Sequence, residues 1–202
     1  SRLKRFDEPK IHLEQYPTPS EAAATVLWDA AQRGDIEGKH IVDLGAGTGI
    51  LGIGALLLGA AKVTFVEIDD AAASLIQENI NSIKESIDND LGTHETIMAD
   101  VNKEELELEA DVVISNPPFG TKKKGADVRF LEQALHIAPR SYTFHKSTTD
   151  THIRSVIKAL NAATLQEYRF TFNLPASMKA HEKKAHHVAI TCFLATALSG
   201  NS

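Results

Sequence analysis

The chain of 202 residues has little of several residue types, and each shortage excludes a class of protein. It contains one cysteine, so an intramolecular disulfide framework is excluded and a reducing compartment is expected. That residue, Cys192, lies in an apolar run from 188 to 198, which predicts a buried side chain rather than a nucleophile. There is no signal-peptide pattern and no apolar run long enough to cross a bilayer, so we expect no membrane association.

The net charge of −6 is unevenly distributed along the chain. Residues 1–120 contain 9 Lys and Arg against 22 Asp and Glu, whereas residues 121–202 contain 12 against 5. This asymmetry favours an anionic partner, such as a nucleic acid, for the basic second half. The alternative is that elements from the two halves mix in the fold and average these charges in space.

Apolar strands alternate with helical segments along most of the chain, which predicts a doubly wound α/β sheet closed by an antiparallel pair. We expect one domain over residues 1–202, with an N-terminal arm and helix at 1–36 and a catalytic core at 37–202. Thr18 or Ser20 is expected to cap the first helix. The strands are predicted near residues 39–44, 62–68, 96–99, 112–115, 139–144, 165–172 and 187–194.

A glycine-rich turn, Gly45-Ala46-Gly47-Thr48-Gly49, follows the first predicted strand and opens a helix. Glycines at such a turn let a ligand approach backbone N–H groups closely. The dinucleotide fingerprint G-x-G-x-x-G requires its third glycine at position 50, where this chain has Ile50. The spacing therefore favours an S-adenosylmethionine site, with a nicotinamide oxidoreductase as the less favoured alternative.

Three carboxylates follow the next two predicted strands. Glu67 stands 22 residues after Gly45, where an acidic residue can accept both hydroxyl protons of a ribose. Asp100 ends the following strand and could accept from an adenine amino group. The alternative is that Glu67, Asp69 and Asp100 are ordinary solvated carboxylates at strand ends. This alternative is weaker for the three together than for any one alone, because all three follow the same glycine turn.

Asn116-Pro117-Pro118-Phe119 follows the apolar run Val112–Ser115. The two prolines end the strand because neither can donate a ladder hydrogen bond. A side-chain amide, a stiff carbonyl and an aromatic ring are thus expected at the carboxyl end of a strand, where ligands bind in open α/β sheets. Taken alone, the four residues are also compatible with a stiff loop.

Taken together, these motifs resemble the class I methyltransferases that methylate amino groups, and more narrowly the methyltransferase-like protein 5 family. The narrow resemblance is carried by four stretches: Leu13–Thr18, Asn116–Lys122, Phe144–Ser147 and Leu174–Ser177. It implies a Rossmann-like seven-stranded sheet, mostly parallel with a C-terminal antiparallel strand, with helices on both faces. It also implies methyl transfer from S-adenosylmethionine to N6 of an adenosine in small-subunit ribosomal RNA. The family often has cysteines in the glycine turn and Asp at position 67, where this chain has Ala46, Thr48 and Glu67.

The residues and the resemblance together give a candidate site. The amino group of the target adenine would donate to the Asn116 side chain and the Pro117 carbonyl, with Phe119 stacked on the base. The predicted catalytic residues are Asn116, Pro117, Pro118 and Phe119. The predicted cofactor-binding residues are Gln15, Thr18, Asp43, Gly45, Gly47, Gly49, Glu67, Asp69, Asp100 and Asn116. The predicted RNA-backbone contacts are Lys122, Lys123, Lys124, Lys146, Lys179, Lys183 and Lys184.

Other expectations concern partners and rival activities. No metal site is predicted, because His181, His186 and His187 have no ligand partners at suitable spacing. The resemblance implies a small zinc-binding activator subunit, added at an edge strand near Thr96–Ala99. We expect a cytoplasmic protein, and also a nuclear one in a eukaryote. The open alternatives are methylation of a protein glutamine amide or DNA adenine, and a non-catalytic S-adenosylmethionine-binding partner.

Overall fold

The computed structural model describes residues 3–4, 18–87, 90–118, 125–174 and 186–198 of the chain. Helices and strands alternate through most of this length, as the sequence pattern predicts. The helices are α1 (Ser20–Gln32), α2 (Ile50–Leu57), α3 (Asp70–Lys84), α4 (Ala126–Ile137) and α5 (Asp150–Ala159). The strands are β1 (His40–Leu44), β2 (Lys62–Glu67), β3 (Thr93–Met98), β4 (Val112–Ser115), β5 (Arg140–Lys146), β6 (Ala162–Leu174) and β7 (His186–Ala197).

The seven strands form one sheet in the order β3-β2-β1-β4-β5-β7-β6. β1, β2, β3, β4 and β5 pair in parallel, whereas β7 is antiparallel to both β5 and β6. The prediction of a mostly parallel sheet with an antiparallel C-terminal strand is therefore confirmed. The strand order reverses between β1 and β4, and such a switch point opens a crevice at the carboxyl ends of the strands.

Helices cover both faces of the sheet. Apolar residues of α1, α2 and α3 share one buried cluster with the side chains that β1, β2 and β4 direct to that face. On the opposite face, α4 packs against β1 and β4, and α5 packs against β7 with a second group of α4 residues. Cys192 lies in the first cluster and is fully buried, which confirms its predicted place in the core. Burial in this apolar cluster raises the pKa of the Cys192 thiol, so it is a poor nucleophile.

The third strand lies at one edge of the sheet, as predicted, but it begins earlier than its sequence pattern indicates. It starts at Thr93 rather than near Thr96. Thr93, Glu95, Thr96 and Met98 are exposed along it. An edge strand with this exposure has no clear apolar alternation, so the periodicity that marks the buried strands is absent here.

The two C-terminal strands are longer than predicted. Their ladder runs from Ala162 opposite Ala197 to Leu174 opposite His186. A register shift lies between Thr164 and Gln166, where β6 carries an irregularity. An extra residue reverses which side chains face the core, so the period-two pattern starts afresh at the shift. This explains why the pattern places the start of the strand near Leu165 instead of Ala162.

No helix in the described part of the chain combines the length and the apolar character that crossing a membrane requires.

Candidate active site

The predicted site residues gather at the carboxyl ends of β1, β2 and β4. Strand β1 ends at Leu44 and leads directly into the glycine turn. Strand β2 ends at Glu67 and β4 ends at Ser115, one residue before Asn116. The Ser115 hydroxyl donates a 2.7 Å hydrogen bond to the Leu44 carbonyl, which ties the ends of β4 and β1 together. The glycine turn and the Asn-Pro-Pro segment are therefore neighbours.

The glycine turn adopts a backbone that needs its glycines. Gly45, Gly47 and Gly49 have φ values of 74°, 56° and 81°. This left-handed region strains residues that carry a Cβ. A Cβ on Gly45 would also lie 2.7 Å from Cε1 of Phe130, so the position is closed on steric grounds as well. The N–H groups of Gly45 and Ala46 both donate to the Val66 carbonyl, at 2.9 and 3.0 Å, which anchors the turn to β2.

Glu67 lies beside this turn and is only 7% exposed. Its Oε2 accepts from the N–H of Gly47 at 2.7 Å. Its Oε1 accepts from the N–H groups of Ile68 and Asp69, both at 2.9 Å. Three backbone donors thus occupy three of the roughly four acceptor sites of a carboxylate. A bidentate contact to a ribose, as predicted, therefore requires at least one of these backbone bonds to be released.

Asp43 faces α2 from β1 and is 1% exposed. Its Oδ2 accepts from the N–H of Gly52 at 2.7 Å, so it satisfies a donor in the first turn of that helix. Among the described residues, Oδ1 of Asp43 has no hydrogen-bond partner. Burial raises the pKa of Asp43 to about 7, the Gly52 N–H opposes this, and the nearby Glu67 charge adds to it.

Asp69 and Asp100 each make a local structural contact in addition to their predicted role. Asp69 is the N-cap residue of α3, and its side chain accepts from the N–H of Ala71 at 3.2 Å. Asp100 Oδ1 accepts from the N–H of Asn102 at 3.0 Å, and Oδ2 lies 3.0 Å from Lys103 Nζ. Both carboxylates follow their strands at the carboxyl edge, and cofactor binding by either remains a prediction.

Within the described residues, the Asn116 side chain is hydrogen-bonded through its amide nitrogen and not through its oxygen. Its Nδ2 donates a 2.9 Å hydrogen bond to the hydroxyl of Thr18, which lies 98 residues earlier in the chain. Its Oδ1 is buried and has no hydrogen-bond partner in the part of the chain that the structure describes. Pro117 is buried beside it. A buried carbonyl oxygen without a partner carries an unmet desolvation cost, which a ligand that donates a hydrogen bond can offset.

Thr18 or Ser20 was predicted to cap α1, and this is wrong for both. The N-cap position of α1 belongs to Pro19, and no side chain caps the helix. The Thr18 hydroxyl contacts Asn116 instead. This brings a residue predicted to bind cofactor into contact with the residue predicted to be catalytic.

Several predicted site residues lie outside the described residues, and their roles stay predictions. They are Gln15, Phe119, Lys122, Lys123, Lys124, Lys179, Lys183 and Lys184. Of the predicted RNA contacts, the structure describes Lys146, which is the last residue of β5 and half-buried. Among the described residues there is no group of three or more side chains arranged to hold a metal ion.

Two residues that shape this site have no signal in the local sequence. Asn79, in the middle of α3, donates to the Thr48 carbonyl at 3.0 Å. Glu104 accepts from the Asp100 N–H at 2.7 Å and so holds the chain after β3. Both act on backbone groups 31 and 4 residues away, respectively. A polar residue within a helix or an acidic segment does not stand out by periodicity, so the sequence does not reveal these contacts.

The strand order, the antiparallel strand β7, the glycine turn after β1 and the Asn-Pro-Pro segment after β4 together define a class I methyltransferase fold. A family model described as "Conserved hypothetical protein 95" matches residues 15–171. The rRNA N(6)-adenosine-methyltransferase Mettl5 of Drosophila melanogaster is 37% identical, with 92% of this chain and 87% of that protein covered. The METTL5 enzyme of Danio rerio is 34% identical, with 92% and 89% covered. The chain belongs to this methyltransferase-like protein 5 family.

Solved structures agree with this family. A Pyrococcus horikoshii protein, described as a "putative RNA methyltransferase", has a TM-score of 0.84 and 36% identity, with 98% of this chain and 95% of that chain covered. Magnesium protoporphyrin IX methyltransferase from Synechocystis, solved with bound S-adenosylmethionine, has a TM-score of 0.66 but 14% identity, over 89% and 79% of the chains. The second likeness extends to the fold alone.

Proposed function

We propose that this protein transfers a methyl group from S-adenosylmethionine to the N6 amino group of an adenosine in small-subunit ribosomal RNA. The observation that carries the proposal is the state of the Asn116 amide. Its Nδ2 is fixed by Thr18 and its buried Oδ1 has no partner among the described residues. An amide arranged in this way presents a fixed acceptor to an incoming amino group. The relatives' shared activity on rRNA adenosine supplies the matching donor.

The exocyclic amine of adenine is a poor nucleophile because its lone pair is delocalised into the ring. Hydrogen bonds from its two protons to Asn116 Oδ1 and to the Pro117 carbonyl would hold the lone pair out of that conjugation and aim it. Such orientation contributes roughly 7–11 kcal/mol when the geometry is ideal. The target base must be unpaired or flipped from its helix to reach a pocket at a strand end.

The donor set around the glycine turn fits S-adenosylmethionine. Glu67 is 7% exposed and contacts the turn at Gly47, and Asp69 and Asp100 follow at the same edge of the sheet. A cofactor with a sulfonium and an ammonium group is favoured by such carboxylates, whereas a pyrophosphate would be repelled. When bound, the cofactor supplies an electrophilic methyl group on its sulfonium. Gly45, Gly47, Glu67 and Asp100 would hold its nucleoside and amino-acid parts.

This arrangement also weighs against the rival activities. The nicotinamide alternative requires a glycine where Ile50 stands and a place for a diphosphate among buried carboxylates. A non-catalytic S-adenosylmethionine-binding protein does not require a fixed amide at the strand end, whereas Thr18 fixes the Asn116 amide here. Methylation of a glutamine amide or of DNA adenine uses similar chemistry, and only the product distinguishes these substrates.

A binding partner is part of the proposal. Strand β3 is an edge strand, and one row of its backbone N–H and C=O groups has no ladder partner within the described sheet. Such an edge can accept a strand from another protein. We propose that the small zinc-binding activator implied by the resemblance adds its strand here. Slowed amide hydrogen exchange over Thr93–Met98 on mixing is the expected result. Full activity and unchanged exchange of the isolated chain would count against it. We further propose that the protein is cytoplasmic, and also nuclear in a eukaryote; its single, unpaired cysteine is compatible with these reducing compartments.

The proposal is tested with ribosomal RNA from cells that lack the protein. The purified chain, with and without the activator, is given this RNA and a tritiated methyl donor, and the product is digested to nucleosides. We expect label in N6-methyladenosine with wild type and none with Asn116→Ala, while calorimetry shows that the variant still binds the cofactor. Parallel reactions contain protein or DNA in place of the RNA, and label that appears only in one of these would assign the corresponding rival activity. Equal labelling by wild type and Asn116→Ala would refute the assigned role of Asn116.

A further inference from the structure

One buried amide on α3 connects the glycine turn to a segment near the start of the chain. Asn79 is 1% exposed. Its Nδ2 donates to the Thr48 carbonyl at 3.0 Å and to the Lys4 carbonyl at 3.2 Å. Its Oδ1 accepts from the Lys4 N–H at 2.7 Å. Both amide protons and the amide oxygen are thus in use, so the side chain acts as a three-way junction.

The junction acts on a part of the turn whose backbone is under tight conformational control. Thr48 lies between Gly47 and Gly49, both at positive φ. The N–H of Gly47 is bound by Glu67 from β2, and the carbonyl of the following residue, Thr48, is bound by Asn79 from α3. Two side chains from different elements therefore fix two peptide groups of the turn, with one peptide group between them. Loss of the Asn79 contact would leave the carbonyl of a residue that is only 7% exposed without this donor.

Asn79 binds Lys4 through the Lys4 backbone and not through its side chain. Lys4 also forms an ion pair with Glu78 at 2.9 Å, but the two side chains are 63% and 53% exposed. Exposed pairs of this kind contribute little. The two hydrogen bonds between the Lys4 backbone and the buried amide are the stronger constraint. The preceding residue, Leu3, packs against the apolar cluster under α1, α2 and α3.

We propose that Asn79 is a positioning residue that couples docking of the Leu3-Lys4 segment to the cofactor-binding conformation of the glycine turn. Release of Lys4 frees one donor and one acceptor of a buried amide, and the freed amide then holds Thr48 less firmly. The coupling is reciprocal, so the cofactor should in turn stabilise the docked segment. The inference rests on the proposed function only in taking this turn to bind S-adenosylmethionine.

The test measures S-adenosylmethionine affinity by calorimetry for wild type, for Asn79→Ala and for an N-terminally truncated chain that lacks residues 1–4. A Glu78→Gln variant serves as the control, because it removes the ion pair and keeps the amide junction. We expect Asn79→Ala and the truncation each to weaken the affinity for S-adenosylmethionine roughly fivefold or more, which is the low end of ordinary coupling between sites. Combining them should add little beyond the larger single effect, whereas Glu78→Gln should match wild type.

Additive losses, or unchanged affinity in the truncated chain, would overturn the inference. Hydrogen exchange provides a second readout that a general loss of stability does not imitate. Cofactor should slow exchange at the Lys4 amide in wild type and in Glu78→Gln, but not in Asn79→Ala. If Asn79→Ala does not fold, Asn79→Asp takes its place, because Asp keeps the acceptor for the Lys4 N–H and lacks the donor to the Thr48 carbonyl. We expect Asn79→Asp to weaken the affinity for S-adenosylmethionine as the truncation does, and unchanged affinity in both would overturn the inference. Wild type that binds no S-adenosylmethionine would instead contradict the proposed function.

Discussion

Asp43 on β1 and Gly52 on α2 are joined by a 2.7 Å hydrogen bond from the Gly52 N–H to the Asp43 carboxylate. The bond crosses from the strand that precedes the glycine turn to the helix that follows it. Since Gly49, the N-cap residue of α2, offers no side chain, Asp43 supplies the acceptor that a capping residue would otherwise provide. This hydrogen bond therefore fixes the end of β1 relative to the start of α2, on the two sides of the glycine turn.

Gly52 is required at this junction for steric reasons, which predicts the effect of adding one methyl group. A Cβ at this position would lie 2.4 Å from Cε1 of Phe65, 2.9 Å from Cγ1 of Val63 and 3.0 Å from Asp43 Oδ2. We expect Gly52→Ala to lower the free energy of unfolding by roughly 1–3 kcal/mol, as overpacking of a core does. The measurement is urea unfolding followed by circular dichroism.

Gly54 on the same helix is the matched control. A Cβ there would meet Cδ1 of Leu27 at 2.4 Å, with no other atom closer than 3.9 Å. The end of one leucine side chain can move, and Ala gains up to about 1 kcal/mol of helix propensity over Gly. Gly54→Ala should therefore be clearly less destabilising than Gly52→Ala. Equal losses would show that the contacts of Gly52 are not the cause.

Burial of Asp43 predicts a pH dependence of stability. Its pKa is raised from 3.8 to about 7 in the folded protein, so the folded state holds a proton that the unfolded state has lost. The stabilisation is fully present below the unfolded pKa and is lost as the pH rises from about 4 to about 7, which corresponds to roughly 4 kcal/mol. Above pH 8 this contribution should be flat.

Asp43→Asn removes this titration and keeps an acceptor for Gly52. The stability of wild type minus that of Asp43→Asn should therefore fall as the pH rises from 5 to 7. Glu167, whose pKa is lowered to about 2 by its hydrogen bond to Arg154, acts in the opposite direction at lower pH but contributes equally to both proteins. Parallel stability curves for the two proteins would show that Asp43 is ionised when buried.

Two tyrosine hydroxyls near the C-terminal end of α1 donate to carboxylates of different exposure, which gives a second comparison between two variants. Tyr142 is fully buried and donates a 2.6 Å hydrogen bond to Asp35, which is also held by Arg140. Tyr168 donates to Asp29, which is more exposed and paired with Arg33. We expect Tyr142→Phe to cost about 1–3 kcal/mol in thermal or urea unfolding, because it removes a donor to a buried carboxylate. Tyr168→Phe should cost less than about 1 kcal/mol, and the reverse order would contradict this reading of burial.

The sequence is sufficient for much of the fold because buried strands, turns and strand ends leave local patterns. The apolar strand Val112–Ser115 and the glycine turn after β1 were predicted correctly from such patterns. The edge position of the third strand was also predicted correctly, but from the strand-adding partner that the family resemblance implies. Where the local pattern is weak, the bounds were wrong, as for the exposed β3 and for β6 with its register shift. Local periodicity has no information about either feature.

The site is less predictable because its key contacts join residues far apart in the chain. Thr18 was one of two residues predicted to cap α1 from their place at its start, yet its hydroxyl accepts from Asn116, 98 residues away. Asn79 joins residues 75 and 31 positions away. Tertiary contacts of this kind depend on how the elements pack, so only the family resemblance points toward Thr18 before the structure is known.

The contact between Thr18 and Asn116 leads to the sharpest prediction for the proposed reaction. Thr18→Val keeps the shape of the side chain and removes the acceptor for Asn116 Nδ2. The amide is then free to rotate, and its Oδ1 no longer points consistently at the target amine. Loss of orientation lowers the rate of methyl transfer rather than the binding of cofactor. We expect kcat to fall roughly tenfold or more while the dissociation constant for S-adenosylmethionine changes little.

Thr18→Ser is the control, because it restores a hydroxyl at the same position and should recover most of the rate. Single-turnover methylation of ribosomal RNA gives the rate, and calorimetry gives the cofactor affinity. If Thr18→Val weakens cofactor binding as strongly as it slows turnover, Thr18 acts mainly in the cofactor-binding role that the resemblance implies. If Thr18→Val keeps the full rate, Asn116 does not need this partner, and its orientation must come from the rigid Pro117 that follows it.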